Sequence, residues 1–544
     1  MTFFSKYSKS SIKVTALGIM LIIISVGLLS FSESRDFKLV KNLEVFSNLF
    51  RELNYYYVDS TDPEKLIQTG INAMLKTLDP YTVYISEEDL DDFKFTTTGH
   101  YGGVGSLIRK KDDYVLITDI YQGFPADKSG LKTGDLIMSV DGISIKGMSS
   151  SEVSGLLKGL PGSTVEISVS RYGNEETVSF TLERKEINVP NVPYYGLVGG
   201  GVGYIRLSNF RTGSGKEVRK ALSDLKNNYG AEAIILDLRG NPGGLLTEAV
   251  SVSNLFVPRG EEIVSTRGKV EEYYHSYQAP NQPVAEKMPL AVLVDRGSAS
   301  AAEIVAGSLQ DLDRGIIVGG RTYGKGLVQT TRPLGYNNQL KVTTAKYYIP
   351  SGRCIQAVDY SNRNEDGSVG HVPDSLISMF KTRNGRVVYD GGGILPDVEV
   401  VPANAGLITI NLYTQDLFFD YSTKFASENP EILPASDFEF SEENFLAFCN
   451  FVIEKDFHYE IQSNAAYESL VKAARKDNLY ENNKEAFLHL KTLLKHDLKT
   501  CLKDHKEEII QFLTSEIAGR YYYQAGGIES SLKWDKDIVA AKKV

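Results

Sequence analysis

"PLAVLVDRGSASAAEIVAGSLQDL", residues 289–312, decides the fold. It opens on an unbroken apolar run with no polar alternation, the pattern of a strand buried on both faces. Small residues follow, and then apolar positions at helical spacing. Buried strand, tight turn and helix in that order build a layered α/β domain. The theme also occurs upstream, where "AEAIILDLRG" is the strand, "NPGG" the turn and "LLTEAVSVSNLF" the helix. Downstream, "GIIVGG" begins a further strand. Ligands in such domains gather at the carboxyl ends of strands. Both "RGNPGG" and "RGSAS" lie at such ends, and the second holds two serines, Ser298 and Ser300.

A serine hydroxyl is a poor nucleophile without a base. Of the seven histidines, His100, His458, His489, His496 and His505 lie outside the α/β region, residues 188–403. His275 and His371 sit in polar segments with no strand-end signature. The other candidate is Lys325, held between glycines in "GGRTYGKGLVQ", residues 319–329. A lysine works as a base only when neutral, so burial must bring its pKa down from about 10.4. Gln329 lies four residues on. Its neutral amide can orient an amine without raising the amine's pKa. Ser298 is read as a turn or cap residue, and Glu303 and Arg239 as structural pairing partners.

Working outward, residues 98–187 change to short β-rich runs, "VLITDI", "LIMSV" and "TVEISVSR", separated by glycine and aspartate turns. One short helix is expected near "SSSEVSGLLKGL". Residues 36–97 read as helical, with Asp62 as a cap and Pro63 at the first position of the second helix. Residues 404–544 read as a helical domain whose many aromatic side chains form a core. No chemistry-bearing motif is visible there; dimerisation, docking of an adaptor and capping of the α/β domain are the roles left open.

Residues 1–35 form a targeting segment. Lys6, Lys9 and Lys13 precede "VTALGIMLIIISVGLLSF", an uncharged run at residues 14–31. Its length nearly spans a bilayer, and leading basic residues keep their own side cytoplasmic. An uncleaved inner-membrane anchor is favoured over a cleaved signal, with the rest of the chain facing the periplasm or exported. The net charge of −10 argues against nucleic acid as a partner. The three cysteines, Cys354, Cys449 and Cys501, have no metal-ligand spacing.

Two sets of motifs carry resemblances. "YGGVGSLI", "PADKSGLKTGDLIMSVDG" and the late helix resemble a PDZ domain. In such domains a peptide adds as a strand beside that helix. The backbone around Gly102, Gly103, Val104 and Gly105 would then hold a terminal carboxylate. "LDLRGNPGG", "GSASAAEI" and "TYGKGLVQ" together resemble the carboxyl-terminal processing, or tail-specific, serine proteases. The likeness runs from about residue 40 to 400 and includes "LDPYTVYISEEDLDDF" and "IPSGRCIQ". It implies a multidomain α/β protein: an N-terminal helical segment, a PDZ-like β domain, a layered crotonase-like protease core and a C-terminal helical domain. It implies Ser300 as nucleophile, with Lys325 as base at the family spacing. It also implies Gln329 as the lysine's partner, and the N–H groups of Gly244 and Ala301 as oxyanion donors. Protein substrates with apolar free C-termini are expected, with no metal or cofactor; homo-oligomers or an adaptor stay open. Ala302 and Cys354 stand where the family often has serine, and neither is in the catalytic set. The competing readings are a PDZ scaffold with a dead protease domain and a crotonase-like acyl-transfer enzyme. The intact catalytic set disfavours the first; the PDZ-like insert and the exported location disfavour the second.

Overall fold

The computed structural model describes residues 35–544 apart from Glu365, Ala403, Asn404, Glu460, Ile461, Lys495 and His496. The apolar run at residues 14–31 lies outside the described residues. Among the described residues, no helix is long and apolar enough to cross a membrane. The chain divides after Leu78 into two units.

The first unit holds helices Arg35–Tyr56 and Pro63–Lys76. Asp62 caps the second by accepting from the N–H groups of Glu64 and Lys65, as its sequence signals require. In the first helix the apolar stripe of Leu39, Leu43, Phe46 and Leu49 stays exposed.

In the second unit the decisive stretch folds as its pattern dictates. Leu290–Val294 is buried at every residue, and the helix Ala301–Asp311 is likewise buried throughout. The strand sits in a six-stranded sheet. The sheet order is Tyr194–Leu197, Val202–Arg206, Ala233–Asp237, Leu290–Val294, Ile316–Gly319 and Val398–Glu399. The first pair is antiparallel and all the others are parallel. Helices Ser214–Asn227, Leu246–Ser253 and Ala301–Asp311 make the crossovers and share the main core with Leu236, Val292 and Ile317. Three neighbouring parallel strands, Ala233–Asp237, Leu290–Val294 and Ile316–Gly319, therefore deliver "RGNPGG", "RGSAS" and "RTYGKG" to one edge of the sheet. That edge carries the candidate site.

The stretch 36–97 is not helical throughout. Val83–Ile85 is a strand, paired antiparallel with Asn338–Tyr348 in a second sheet. A three-residue strand has no periodicity of its own to read, and here its pairing partner lies some 250 residues away.

The PDZ-like region has the sheet order Ser106–Lys111, Tyr114–Ile120, Leu136–Val140, Thr164–Ser170 and Val178–Glu183. The expected helix is Ser150–Leu157, started by a capping box between Ser149 and Glu152. The C-terminal helices close over aromatic rings, with Phe418 stacked on Phe448 and Phe512 at 5.6 and 5.5 Å between centroids. They also seat the PDZ-like sheet. Arg109 pairs with Asp416 at 2.8 Å, and Tyr523 donates its hydroxyl to Asp127 at 2.6 Å.

Candidate active site

Ser300 stands between the buried strand and its helix with φ 54° and ψ −112°. A non-glycine residue at positive φ costs on the order of 1–3 kcal/mol and persists only where its surroundings hold it. Four bonds do so here. The N–H of Ala299 donates to Asn241 O at 2.9 Å, and that of Ile304 to Ser300 O at 2.9 Å. The Tyr347 hydroxyl donates to Ser300 O at 3.2 Å. The Ser300 N–H donates to Glu303 Oε2 at 2.9 Å. A sharp strand-to-helix turn of this kind lifts a side chain out of the sheet toward a ligand.

Glu303 joins the two halves of the site. Its fully buried carboxylate accepts from Thr322 Oγ1 at 2.5 Å, Gly324 N at 2.7 Å and Lys325 N at 2.9 Å, in addition to Ser300 N. One side chain thus fixes the backbone of Ser300 and the backbone of Lys325 to a common point. Burial pushes the Glu303 carboxyl upward, opposed by these donors. From sequence Glu303 reads as a structural pairing partner, although its position three residues after Ser300 is a capping-box signature. Glu303→Gln turns an amide NH₂ toward donors that need an acceptor. The expected result is a loss of about 2 kcal/mol of stability and a kcat about 10²-fold lower. Thermal melting and steady-state kinetics check it, and unchanged kcat would show that the carboxylate only supports the fold.

Lys325 follows the strand Ile316–Gly319 through the turn "RTYGKG". Its amine is held down at about 8, by burial first and by Lys341 second, against the opposing pull of Asp79 and Glu303. Its Nζ lies 4.0 Å from the centre of the Tyr81 ring, a contact that favours the ammonium form. Tyr81 is set by Asp79, which accepts from the N–H groups of Tyr81 and Thr82 at 2.8 Å each. Its hydroxyl meets those of Tyr323 at 3.3 Å and Tyr360 at 3.5 Å. Nothing in the sequence tied Tyr81 to Lys325, 244 positions apart; "LDPYTVYI" carried only a family likeness. Gln329 donates its amide to Thr343 Oγ1 at 3.2 Å. Thr343 in turn takes its backbone bond to Thr82, whose hydroxyl reaches Asp79. Gln329 is thereby tied to the segment that carries Tyr81.

The loop after Ala233–Asp237 closes the site. Phe210 donates its N–H to Gly243 O at 3.0 Å and accepts from Leu245 N at 2.7 Å, a ladder that passes over the Gly244 N–H. Gly243 is pressed against the Ser300 turn. A Cβ there would lie 2.6 Å from Ala299 O, 2.8 Å from Ala301 N and 2.9 Å from Ser300 Cβ, so only glycine fits. Ser298 is fully buried and donates its hydroxyl to Leu238 O at 2.9 Å, splicing the two loops together.

The PDZ-like residues lie apart from this centre. Gly102 and Gly103 end a strand paired with Lys185–Asn188. Gly105 has φ 83°, and its O accepts from Tyr121 N at 3.0 Å. Next to them runs a groove of about 340 Å³, lined by Ser106, Ile108, Tyr121, Ser154 and Leu157 among others. The strand Ser106–Lys111 lies at the edge of its sheet and pairs only with Tyr114–Ile120 among the described residues.

Comparison with known proteins gives three family matches. Residues 102–182 match the PDZ domain, residues 201–361 peptidase family S41, and residues 408–544 the C-terminal helical domain of probable PDZ-proteases. The carboxy-terminal-processing protease of Bartonella bacilliformis is 36% identical over 332 residues, covering 60% of this chain and 76% of that protein. A probable CtpA-like serine protease of Staphylococcus aureus is 35% identical over 318 residues, covering 58% of this chain and 62% of that protein. Among solved structures, a photosystem II D1 C-terminal processing protease aligns at 29% identity over 66% of this chain and 93% of its own, with a TM-score of 0.35. The chain belongs to peptidase family S41 as a carboxy-terminal-processing protease, a serine-type peptidase that carries a PDZ domain and a C-terminal helical domain.

Proposed function

We propose that Ser300 is the nucleophile and Lys325 the base of an endopeptidase that binds free C-terminal tails through its PDZ domain. The observation that carries this reading is the Glu303 carboxylate, which fixes both backbones to one point beside a lysine whose amine is held at about 8. Ser300 Oγ attacks a peptide carbonyl while neutral Lys325 takes its proton. The N–H groups of Gly244 and Ala301 receive the developing oxyanion, the main stabilising element of acyl transfer. Collapse breaks the C–N bond, and Lys325 returns the proton to the leaving amine. Water then adds to the acyl-enzyme, with Lys325 again as base, and Ser300 is released. Gln329 supports Lys325 indirectly: its amide reaches Thr343, which is tied through Thr82 to the Asp79–Tyr81 segment packed on the amine. The apolar run at residues 14–31 would hold the enzyme at the inner membrane with its active site outside the cytoplasm.

The edge strand Ser106–Lys111 and the groove beside Ser150–Leu157 support recognition of an apolar tail by strand addition. The backbone from Gly102 to Gly105 would receive the terminal carboxylate. Blocking that carboxylate as an amide is expected to lower kcat/KM about tenfold or more. Parallel assays of a free-acid and an amidated peptide check it; equal rates would remove the tail carboxylate from recognition. A PDZ scaffold with a dead protease domain gains no support from the family matches.

A further inference from the structure

We propose that Asp535 and Asp537, in the C-terminal helical domain, position the oxyanion loop of the protease through Arg239; this rests on the assignment of Ser300 and Gly244 above. The loop starts at Asp237, the fully buried last residue of its strand. The Asp237 carboxylate accepts from the Tyr204 hydroxyl at 2.7 Å, Arg206 at 2.7 Å, and Arg239 Nε and Nη2 at 3.0 and 2.6 Å. Burial opposes its charge, but Arg239 and Arg206 outweigh burial and hold it at about 2. One carboxylate against two guanidinium groups leaves an excess positive charge largely shut off from water, and such a charge requires partners.

The partners come from the other end of the chain. Arg239 Nη1 donates to Asp535 Oδ1 at 3.1 Å and Asp537 Oδ2 at 2.7 Å, and Nη2 to Asp535 Oδ2 at 2.6 Å. A guanidinium has five N–H donors. All five are used here, two on Asp237 and three on the two aspartates. The orientation of Arg239 is therefore fully determined, and more than half of that determination lies outside the protease core.

This orientation bears on the reaction because Arg239 lies near the start of the loop. The next residue, Gly240, donates its N–H to Asp295 in the nucleophile turn at 2.8 Å. Asn241 O receives Ala299 N, and Gly243 abuts Ser300. A tilt at Arg239 passes along this short path to Gly244. The segment that carries the two aspartates is anchored independently of the arginine. Asp535 caps the helix Lys536–Ala541 by accepting from the N–H groups of Asp537 and Ile538. Ile538 and Ala541 are buried with Tyr204, Ile235, Ala291, Leu293 and Val318, on the face of the catalytic sheet opposite the main core.

The test uses the full-length enzyme and a peptide substrate with an apolar free C-terminus. In Asp535→Asn/Asp537→Asn, kcat is expected to fall about tenfold or more while KM stays within about twofold. The rise of activity with pH should keep its midpoint, because the surroundings of Lys325 are untouched. A peptide aldehyde, whose adduct with Ser300 places an oxyanion in the same loop, should inhibit about tenfold or more less strongly. Ile538→Ala loosens the same helix but keeps both carboxylates; below its melting temperature its kcat should stay within about twofold. Parental kcat and aldehyde inhibition in the double variant would overturn the proposal. So would an Ile538→Ala variant as slow as the double variant, since packing rather than the carboxylates would then set the loop. Ser300→Ala is run alongside. If it is active, the underlying assignment fails; if it is inactive beside a parental double variant, only this proposal fails.

Discussion

Ser300→Ala is expected to lower kcat/KM on a tailed substrate by on the order of 10⁴-fold or more, with the fold intact. The hydroxyl is the only group removed. Apart from the capping box in which its side chain faces the Glu303 N–H, residue 300 is held at positive φ through backbone atoms, from Ser300 N to Glu303 and from Tyr347 and Ile304 to Ser300 O. The turn should survive the change, and circular dichroism and melting should match the parent. The neighbouring serine gives the contrast. Ser298→Ala removes a buried hydroxyl bonded to Leu238 O and to the Asp295 N–H. It should cost about 1–3 kcal/mol of stability and still leave turnover well above that of Ser300→Ala. If Ser298→Ala is the inactive one, the two roles are reversed.

Lys325→Arg should be nearly as damaging, lowering kcat by about 10³-fold. Arginine keeps the charge and roughly the reach, but it does not deprotonate in a protein. Charge is therefore not the property under test; a neutral nitrogen is. In the parent, burial and Lys341 bring the amine down to about 8. Below that pH most of the enzyme carries the ammonium, which cannot accept a proton. Rate should rise about tenfold per pH unit well below 8 and level off above it. Tyr81 opposes this tuning through its ring, 4.0 Å from Nζ. Lys325→Arg with parental turnover would show that the proton goes elsewhere.

Much of the site was legible because its chemistry is local. Each catalytic segment is a buried apolar strand followed by small residues, and the order of strands and helices predicts a parallel sheet whose carboxyl ends converge. Ser300, Lys325 and the glycine loop can be read that way, the first two with help from family spacing. What escaped depends on contacts across the fold. Glu303 is one turn from Ser300, but its value lies in Gly324 and Lys325 folding back onto it. Tyr81 comes from a strand-bearing segment that reads as part of a helical lead-in, because Val83–Ile85 is too short to show alternation. The pairing of Arg239 with Asp535 and Asp537 joins residues almost 300 positions apart. Charge alone singles out none of the three in a chain with 59 basic and 69 acidic residues.

Covalent labelling tests Ser300 as the nucleophile most sharply. The enzyme is mixed with a slowly deacylating peptide ester, quenched at intervals from pH 6 to 9.5, and the acylated residue is located by mass spectrometry. The adduct is expected on Ser300 alone, formed at a rate that climbs with pH to a plateau above about 8. Lys325→Arg should form it at a small fraction of that rate at every pH. An adduct on Ser298, or acylation of Ser300 at a rate indifferent to pH and to Lys325, would contradict that assignment.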